Sequence, residues 1–178
     1  MLNNNRLIEI AGQFCLEGRP SEVKALGDGF INDTYTVLLA DSPVKYILQR
    51  KNTVIFKDIP GMMSNIKAVT EHLKRKIAAA GGDPMRESLT VVPAKDGRLY
   101  YESDGEYWCI TVFIDNSVSY DKADSELLAE CGGRGIGRFQ AMLADFDGEL
   151  VDTLPGFHNI RYRFGQWDKT LAEDPAGR

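Results

Sequence analysis

Apolar positions recur along the chain with two periods, and the change from one period to the other predicts the order of the elements. Residues 4–17 and the segment after Pro60 carry apolar side chains three and four positions apart, which is typical of helices that bury one face. Three runs between these helices are rich in β-prone residues and predict strands: "EVKAL", "TYTVLLA" and "KYILQRKN". The short turn "DSP" between the second and third runs favours a hairpin.

A second group of strands and then a helical region follow. The strand-like runs are "SLTVVPA", "RLYYES" and "EYWCITVFI", and both turns between them contain Asp-Gly, a strong hairpin signal. After Ile114 the chain becomes polar and rich in turn residues, and helical patterns return from Ser125 onward. The pattern predicts an α+β part with an antiparallel sheet of about five strands, residues 1–114, and an all-helical part, residues 115–178.

Composition and charge narrow the classes of function. The chain has 178 residues, of which 43% are hydrophobic and 26% charged, as in ordinary globular proteins. Its net charge of −5 does not favour binding to nucleic acid or to an anionic membrane. The first residues lack a basic segment followed by an apolar one, no run is long enough to span a bilayer, and the three cysteines lie far apart. We expect a cytoplasmic protein without a signal peptide, a disulfide framework or a zinc site.

The stretch "GDGFINDTYTV" joins the first two predicted strands and is the first candidate for a binding site. Gly27 and Gly29 fill the first two places of a G-x-G-x-x-G loop, with Asp28 between them and Asn32 in the third place. Because glycine has no side chain, the backbone N–H groups of such a loop can approach phosphate oxygens closely. Asparagine tolerates left-handed backbone angles, so Asn32 could preserve the loop shape. A plain turn rich in Gly, Asp and Asn accounts for the same residues.

The order of the elements resembles the amino-terminal lobe of a kinase. The chain resembles the aminoglycoside phosphotransferase/choline kinase-like family and, within it, the bacterial N-acetylhexosamine 1-kinases. Four segments carry the resemblance: "GDGFINDTYTV", "KYILQRKNTVIFKDIPGMMSNI", "GRFQAMLADFD" and "LPGFHNIRYRF". It implies a kinase-like nucleotide-binding N-lobe in residues 1–114, followed by the hinge and the first helices of the substrate lobe in residues 115–178. It also implies ATP and Mg²⁺ as cofactors and a small-molecule sugar as the acceptor.

The third strand differs from the kinase pattern at the position that binds phosphate. Kinases place a lysine there, which pairs with the α- and β-phosphates. The resemblance assigns this position to Gln49, and Arg50 follows it. Alternation along a strand puts the two side chains on opposite faces, so only one of them can point into the cleft. Arg50 would retain a cation near the phosphates, whereas Gln49 would supply a neutral donor.

Two further segments take their roles from the resemblance. Glu71, in the helix after Pro60, would pair with that cation as the corresponding helix glutamate does in kinases. The alternative is a solvated glutamate that pairs with Lys74 on the same helix. Phe113 and Ile114 lie in the segment that forms the hinge, where backbone groups bind the adenine edge, and packing in the core accounts for them equally well.

The resemblance also implies a catalytic aspartate loop and a second aspartate on magnesium, and the sequence contains neither motif. We interpret "DFDG" (145–148) as a turn after a helix and "GGRGIG" (132–137) as a site of close packing between helices. The expectation is an amino-terminal fragment that is inactive by itself and whose metal ligands lie elsewhere.

Two functions remain open. The first is an ATP-dependent small-molecule phosphotransferase, a sugar kinase similar to the N-acetylhexosamine 1-kinases. The second is a non-catalytic kinase-like module that binds a nucleotide or a partner. A truncated helical lobe would expose apolar surface, so self-association is also expected.

Overall fold

The computed structural model describes residues 3–27 and 29–177, and within them the chain forms five helices and six strands. In chain order these are α1 (Asn4–Ala11), β1 (Pro20–Ala25), β2 (Asp33–Leu39), β3 (Tyr46–Lys51), α2 (Ile59–Ala79), α3 (Pro84–Glu87), β4 (Val91–Val92), β5 (Tyr101–Ser103), β6 (Glu106–Val112), α4 (Glu126–Leu143) and α5 (Ile160–Glu173). The predicted α+β class with an antiparallel sheet is confirmed.

All the strands belong to one antiparallel sheet. The order across the sheet is β1-β2-β3-β6-β4, and the short β5 pairs with the start of β6. The long strand β6 therefore lies beside β3, although many residues separate the two in the chain. The register places Thr34 opposite Gln49, and Gln49 opposite Cys109.

The two faces of the sheet pack against different helices. One face carries Tyr46, Leu48, Trp108 and Ile110, which form a core with α1. The other face carries Cys109, which packs against Ile59 and Met63 of α2 together with several partly buried apolar side chains. We call these the α1 face and the α2 face, and residues of β3 alternate between them.

Local signals account for the ends of the helices that flank the sheet. Asp58 caps α2, since its Oδ1 accepts a hydrogen bond of 2.8 Å from the Gly61 backbone N–H, and Pro60 lies in the first turn. The helix predicted over residues 4–17 ends at Ala11 instead. The following residues pair with a distant segment, where Phe14 bridges Ala94 and the Cys15 N–H donates to the Pro93 carbonyl at 2.9 Å.

The helices after the sheet bury no residue within the described part of the chain. The region of α4 is held to α2 by polar contacts. The Nε2 atom of His72 lies 2.9 Å from the Met142 carbonyl, and Lys76 Nζ lies 2.5 Å from Asp145 Oδ1. The Asn65 amide makes two hydrogen bonds, of 2.8 and 2.9 Å, with the backbone of Val151. The boundary at residue 114 stays a prediction.

Candidate functional site

The glycine-rich loop between β1 and β2 needs both of its described glycines, for different reasons. Gly27 has a φ of +67°, a left-handed conformation that favours glycine. A Cβ on Gly29 would lie only 2.8 Å from the backbone oxygen of Asn32, so the loop is too tight there for any side chain. Asp28, assigned to the same loop from the sequence, lies outside the described residues. A shallow cavity of about 230 Å³ runs along the loop and is lined by Gly27, Gly29, Asn32 and the start of β2.

Asn32 supports the loop in a different way from the one expected. It does not adopt the left-handed conformation that would make it a substitute for glycine. Instead, its Oδ1 accepts a hydrogen bond of 3.0 Å from the backbone N–H of Asn52, just after β3. The Asn52 side chain in turn accepts from the Val54 N–H at 2.9 Å. The Asn32 amide therefore anchors the end of the loop to the segment that leads into α2.

Arg50 lies on the α1 face and is held by two carboxylates. Its guanidinium pairs with Asp33, the first residue of β2, and donates to Glu106 Oε1 at 2.5 Å. Glu106 also accepts from Arg6 of α1 at 3.1 Å. Partial burial lowers the pKa of Arg50, but the hydrogen bonds to Glu106 and Asp33 outweigh it and raise that pKa above its ordinary value. Arg50 thus fixes the end of the loop from the side opposite α2.

Gln49 and Lys51 lie on the α2 face, which is the face that the phosphate lysine of a kinase shares with its helix glutamate. Gln49 Nε2 donates to Thr34 Oγ1 at 3.2 Å, and Lys51 Nζ donates to Gln49 Oε1 at 2.7 Å. Burial raises the pKa of the Cys109 thiol beneath them, and the neighbouring Lys51 ammonium opposes that rise. Lys51 is a cation on this face that the sequence reasoning missed. Strand alternation could have found it, because it stands two residues after Gln49.

The expectation that Glu71 orients the strand cation is wrong. Glu71 is exposed, and its carboxylate lies 3.7 Å from Lys67 Nζ on the same helix. Arg50 pairs with Asp33 and Glu106 on the opposite face of the sheet, and Lys51 pairs with Gln49. The alternative of an exposed helix glutamate agrees with the structure, with Lys67 in place of Lys74 as the ion-pair partner. Burial lowers the pKa of Lys74, and the Glu71 carboxylate opposes that shift. A nucleotide contact by Glu71 stays a prediction that this geometry does not favour.

Phe113 and Ile114, which the sequence resemblance assigns to the hinge, follow directly after β6. The Phe113 N–H donates to the Lys45 carbonyl at 3.0 Å, and the Ile114 carbonyl accepts from Ser117 Oγ at 3.0 Å. Lys45 Nζ forms an ion pair of 2.8 Å with Asp115 and lies 5.6 Å from the centre of the Phe113 ring. A cavity of about 320 Å³ opens here and includes both Phe113 and Ile114 in its lining. Phe113 and the glycine-rich loop lie at opposite ends of β3.

The described residues do not fit a magnesium site. Within residues 3–27 and 29–177, no three His, Cys, Asp or Glu side chains cluster as a metal would need. In "DFDG", the hydrogen bond from Lys76 lowers the pKa of the Asp145 carboxyl. Residues 144–145 form a turn directly after α4, in agreement with the interpretation of this motif as a turn after a helix. Across the same residues, no helix is long and apolar enough to cross a membrane.

The glycines of α4 do not mediate the close packing that the sequence suggested. A Cβ added at Gly132, Gly133, Gly135 or Gly137 would meet no atom of the described chain within 4 Å. All four lie on exposed turns of α4. No contact among the described residues explains four glycines in one helix, where each lowers helix stability by about 1 kcal/mol relative to alanine.

Comparison with known proteins supports the fold. No family model matches the chain. The chain is similar to the crystal structure of spectinomycin phosphotransferase, APH(9)-Ia, in complex with ADP and spectinomycin, with a TM-score of 0.58 and 10% sequence identity. The likeness covers 83% of this chain and 39% of that one.

At this identity the likeness shows the fold alone. The chain has an α+β kinase-like fold similar to that of this spectinomycin phosphotransferase, and its described residues correspond to an N-lobe followed by helices. It spans about two fifths of the phosphotransferase, since 39% of that chain is covered.

Proposed function

We propose that this chain is the nucleotide-binding part of an ATP-dependent small-molecule phosphotransferase. The observation that supports this best is the arrangement on the α2 face. A loop whose backbone is bare at Gly27 and Gly29 is anchored by Asn32 beside a strand that carries Gln49 and Lys51. Backbone N–H groups without side chains and a lysine ammonium are the elements with which kinases hold the phosphates of a nucleotide.

Each element has a distinct task in this proposal. The loop backbone covers the phosphates, the Lys51 ammonium compensates part of their charge, and Gln49 adds a neutral donor. The backbone at Phe113 and Ile114 binds the adenine edge. The acceptor is a sugar hydroxyl, in an N-acetylhexosamine by the resemblance of the sequence. The described residues are given no catalytic role and no part in metal binding. The cytoplasmic location stays a prediction from composition.

Replacing Gly29 by alanine tests the loop with a single added methyl group. We expect the variant to bind ADP in the presence of magnesium about tenfold more weakly than the unaltered chain. The added Cβ would approach the Asn32 backbone oxygen to 2.8 Å and displace the N–H groups beside it. Isothermal titration calorimetry measures the change.

The matched control is Gly133→Ala, since a Cβ at Gly133 meets no described atom within 4 Å. This variant should bind ADP as the unaltered chain does. Equal affinities for all three proteins would contradict the phosphate-loop assignment. A chain that binds no nucleotide at all would contradict the proposed function as a whole. Binding by itself fits the non-catalytic module too, so the transfer step needs the whole protein.

We also propose that the chain associates through α5. Four large apolar side chains lie on this helix at intervals of four, three and four residues and are more than 60% exposed: Ile160, Phe164, Trp167 and Leu171. That spacing forms one stripe along the helix, and two copies of α5 can bury each other's stripe. We expect a dimer at micromolar concentration, measured by sedimentation velocity.

Trp167→Glu should return the protein to the monomer, because it places a charge at the centre of the stripe. Arg161→Glu changes a charge on the same helix outside the stripe and should leave the dimer intact. A clean monomer at high concentration, or association that survives Trp167→Glu, would rule out this interface.

A further inference from the structure

A third cavity lies away from the loop and from the segment after β6, between α2, α3 and α4. Its volume is about 440 Å³. Its walls are apolar and come from Ile66, Val69 and Leu73 of α2, Leu89 after α3, and Phe139 of α4. It shares no lining residue with the cavities at the loop and at the hinge. Leu89 and Phe139 are nearly half exposed, at 48% and 46%, so two large apolar side chains meet solvent here.

One polar group in this cavity is without a partner. Ser88 lines the cavity and is only 6% exposed, and its Oγ makes no hydrogen bond to any described residue. The other hydroxyl in the lining is satisfied, because Thr70 Oγ1 donates to the Ile66 carbonyl at 2.8 Å. A buried hydroxyl left unpaired costs about 1–3 kcal/mol. The Oγ atom is itself shielded from solvent, so a ligand in the cavity meets it after a change of the Ser88 rotamer, and a hydrogen bond to it would then recover part of that cost.

The rim of the cavity carries no net charge. Glu87 and Arg138 form an ion pair across it, with a separation of 2.7 Å between Glu87 Oε2 and Arg138 Nη2. Asn65, also in the lining, uses its amide on the backbone of Val151. These contacts leave the Ser88 hydroxyl as the group that can select a ligand, and they favour an uncharged one.

We propose that this cavity binds an uncharged, mainly apolar small molecule with one hydrogen-bonding group, which pairs with Ser88. The volume falls within the range of about 300–1,000 Å³ typical of small-molecule sites, and apolar walls with one or two placed polar groups are their usual lining. A bound molecule contacts α2, α3 and α4 together, so it holds α4 against the helix that packs on the sheet. The site is independent of the phosphotransferase proposal.

Indole and indene form a matched pair of probes for this site. They have nearly the same shape, but only indole carries an N–H that the Ser88 oxygen can accept. With ¹³C-methyl-labelled Ile, Leu and Val, we expect indole to shift the methyl signals of Ile66, Val69, Leu73 and Leu89. Indole should bind about fivefold more tightly than indene, as a neutral hydrogen bond of about 1 kcal/mol predicts.

Two variants make the test specific. Ser88→Ala should bind the two probes equally, with the affinity for indene unchanged or improved. Val69→Phe fills the cavity and should abolish both, whereas Val118→Phe, at an exposed position outside the cavity, should abolish neither. Indole that shifts no cavity methyl at millimolar concentration would overturn the proposal. So would shifts that survive Val69→Phe, or cavity signals that respond to protein concentration alone, which would make a second copy of the chain the occupant.

Discussion

Replacing Lys51 by methionine is expected to weaken the binding of ADP with magnesium by about ten- to a hundredfold. A hydrogen bond to a charged group contributes about 1.5–3 kcal/mol, and each 1.4 kcal/mol corresponds to a factor of ten in affinity. Lys51 lies on the α2 face, where its Nζ donates to Gln49 Oε1 at 2.7 Å. Methionine keeps most of the length of the side chain and removes its charge. Titration calorimetry at constant ionic strength measures the loss.

Two further variants separate a phosphate contact from a general loss of charge. Lys95→Met removes an exposed lysine between β4 and β5 and should leave the affinity unchanged. The double variant Gln49→Lys with Lys51→Met moves the ammonium two positions along the same face, to the position that the sequence resemblance assigns to the kinase lysine. It should recover most of the lost affinity. If Lys51→Met and Lys95→Met behave alike, Lys51 does not contact the nucleotide.

Replacing Arg50 by methionine is expected to lower the free energy of unfolding by about 2 kcal/mol, from charge-assisted hydrogen bonds worth about 1.5–3 kcal/mol each. The guanidinium lies between Asp33 and Glu106, so its removal leaves two carboxylates without the cation that they share. The side chain is 35% exposed, and solvent screening keeps the loss well below the sum of two fully buried hydrogen bonds. Urea unfolding followed by far-ultraviolet circular dichroism gives the value, because this signal does not depend on the guanidinium that lies over the Trp108 ring.

Arg98→Met is the matched control for this effect. Its guanidinium pairs with Asp96 at 2.7 Å in an exposed turn, and exposed pairs contribute less than about 1 kcal/mol. Arg50→Lys keeps the charge but cannot reach both carboxylates with a planar fork, so its loss of stability should be intermediate. Arg50→Met should also reduce ADP affinity less than Lys51→Met does, since Arg50 lies on the other face. Equal stability of Arg50→Met and Arg98→Met would refute the anchoring role.

The fold could be predicted from the sequence where the signals are local. Asp58 and Pro60 specify the start of α2, and the Asp-Gly turns hold Gly97 and Gly105 at φ values of 85° and 75°. The prediction for α1 was too long because the apolar period continues through Phe14. That side chain is buried against the sheet after the helix has ended, through pairing with residues about eighty positions away. The apolar period along the sequence indicates which side chains are buried, but it does not indicate whether they belong to a helix or to the segment after it.

The need for glycine in the loop could be predicted from the sequence, and the contacts of the candidate site with a nucleotide stay a prediction. The two glycines could be identified from the sequence because the loop requires residues without a side chain there. Gly27 has a positive φ, and the backbone of Asn32 approaches Gly29 closely. The pairing of Arg50 with Glu71 was wrong because it depends on the rotation of α2 about its axis and on which face of β3 meets it. The rotation of α2 arises from tertiary packing and has no short-range signature. Lys51 does have one, because it stands two residues after Gln49 and strand alternation places both side chains on the same face.

The pairing of β3 with β6 has a consequence for how far the length of the chain between these two strands can vary. Gln49 and Cys109 are neighbours across these strands but lie 60 residues apart in sequence, so their contact closes a long loop that contains α2, α3 and two short strands. The entropy lost on closing a loop rises only with the logarithm of its length, and doubling the length adds about 0.6 kcal/mol. Insertions in the exposed turns between β3 and β6 therefore cost little, and the strand pair that carries Gln49 and Lys51 can persist while those turns change in length.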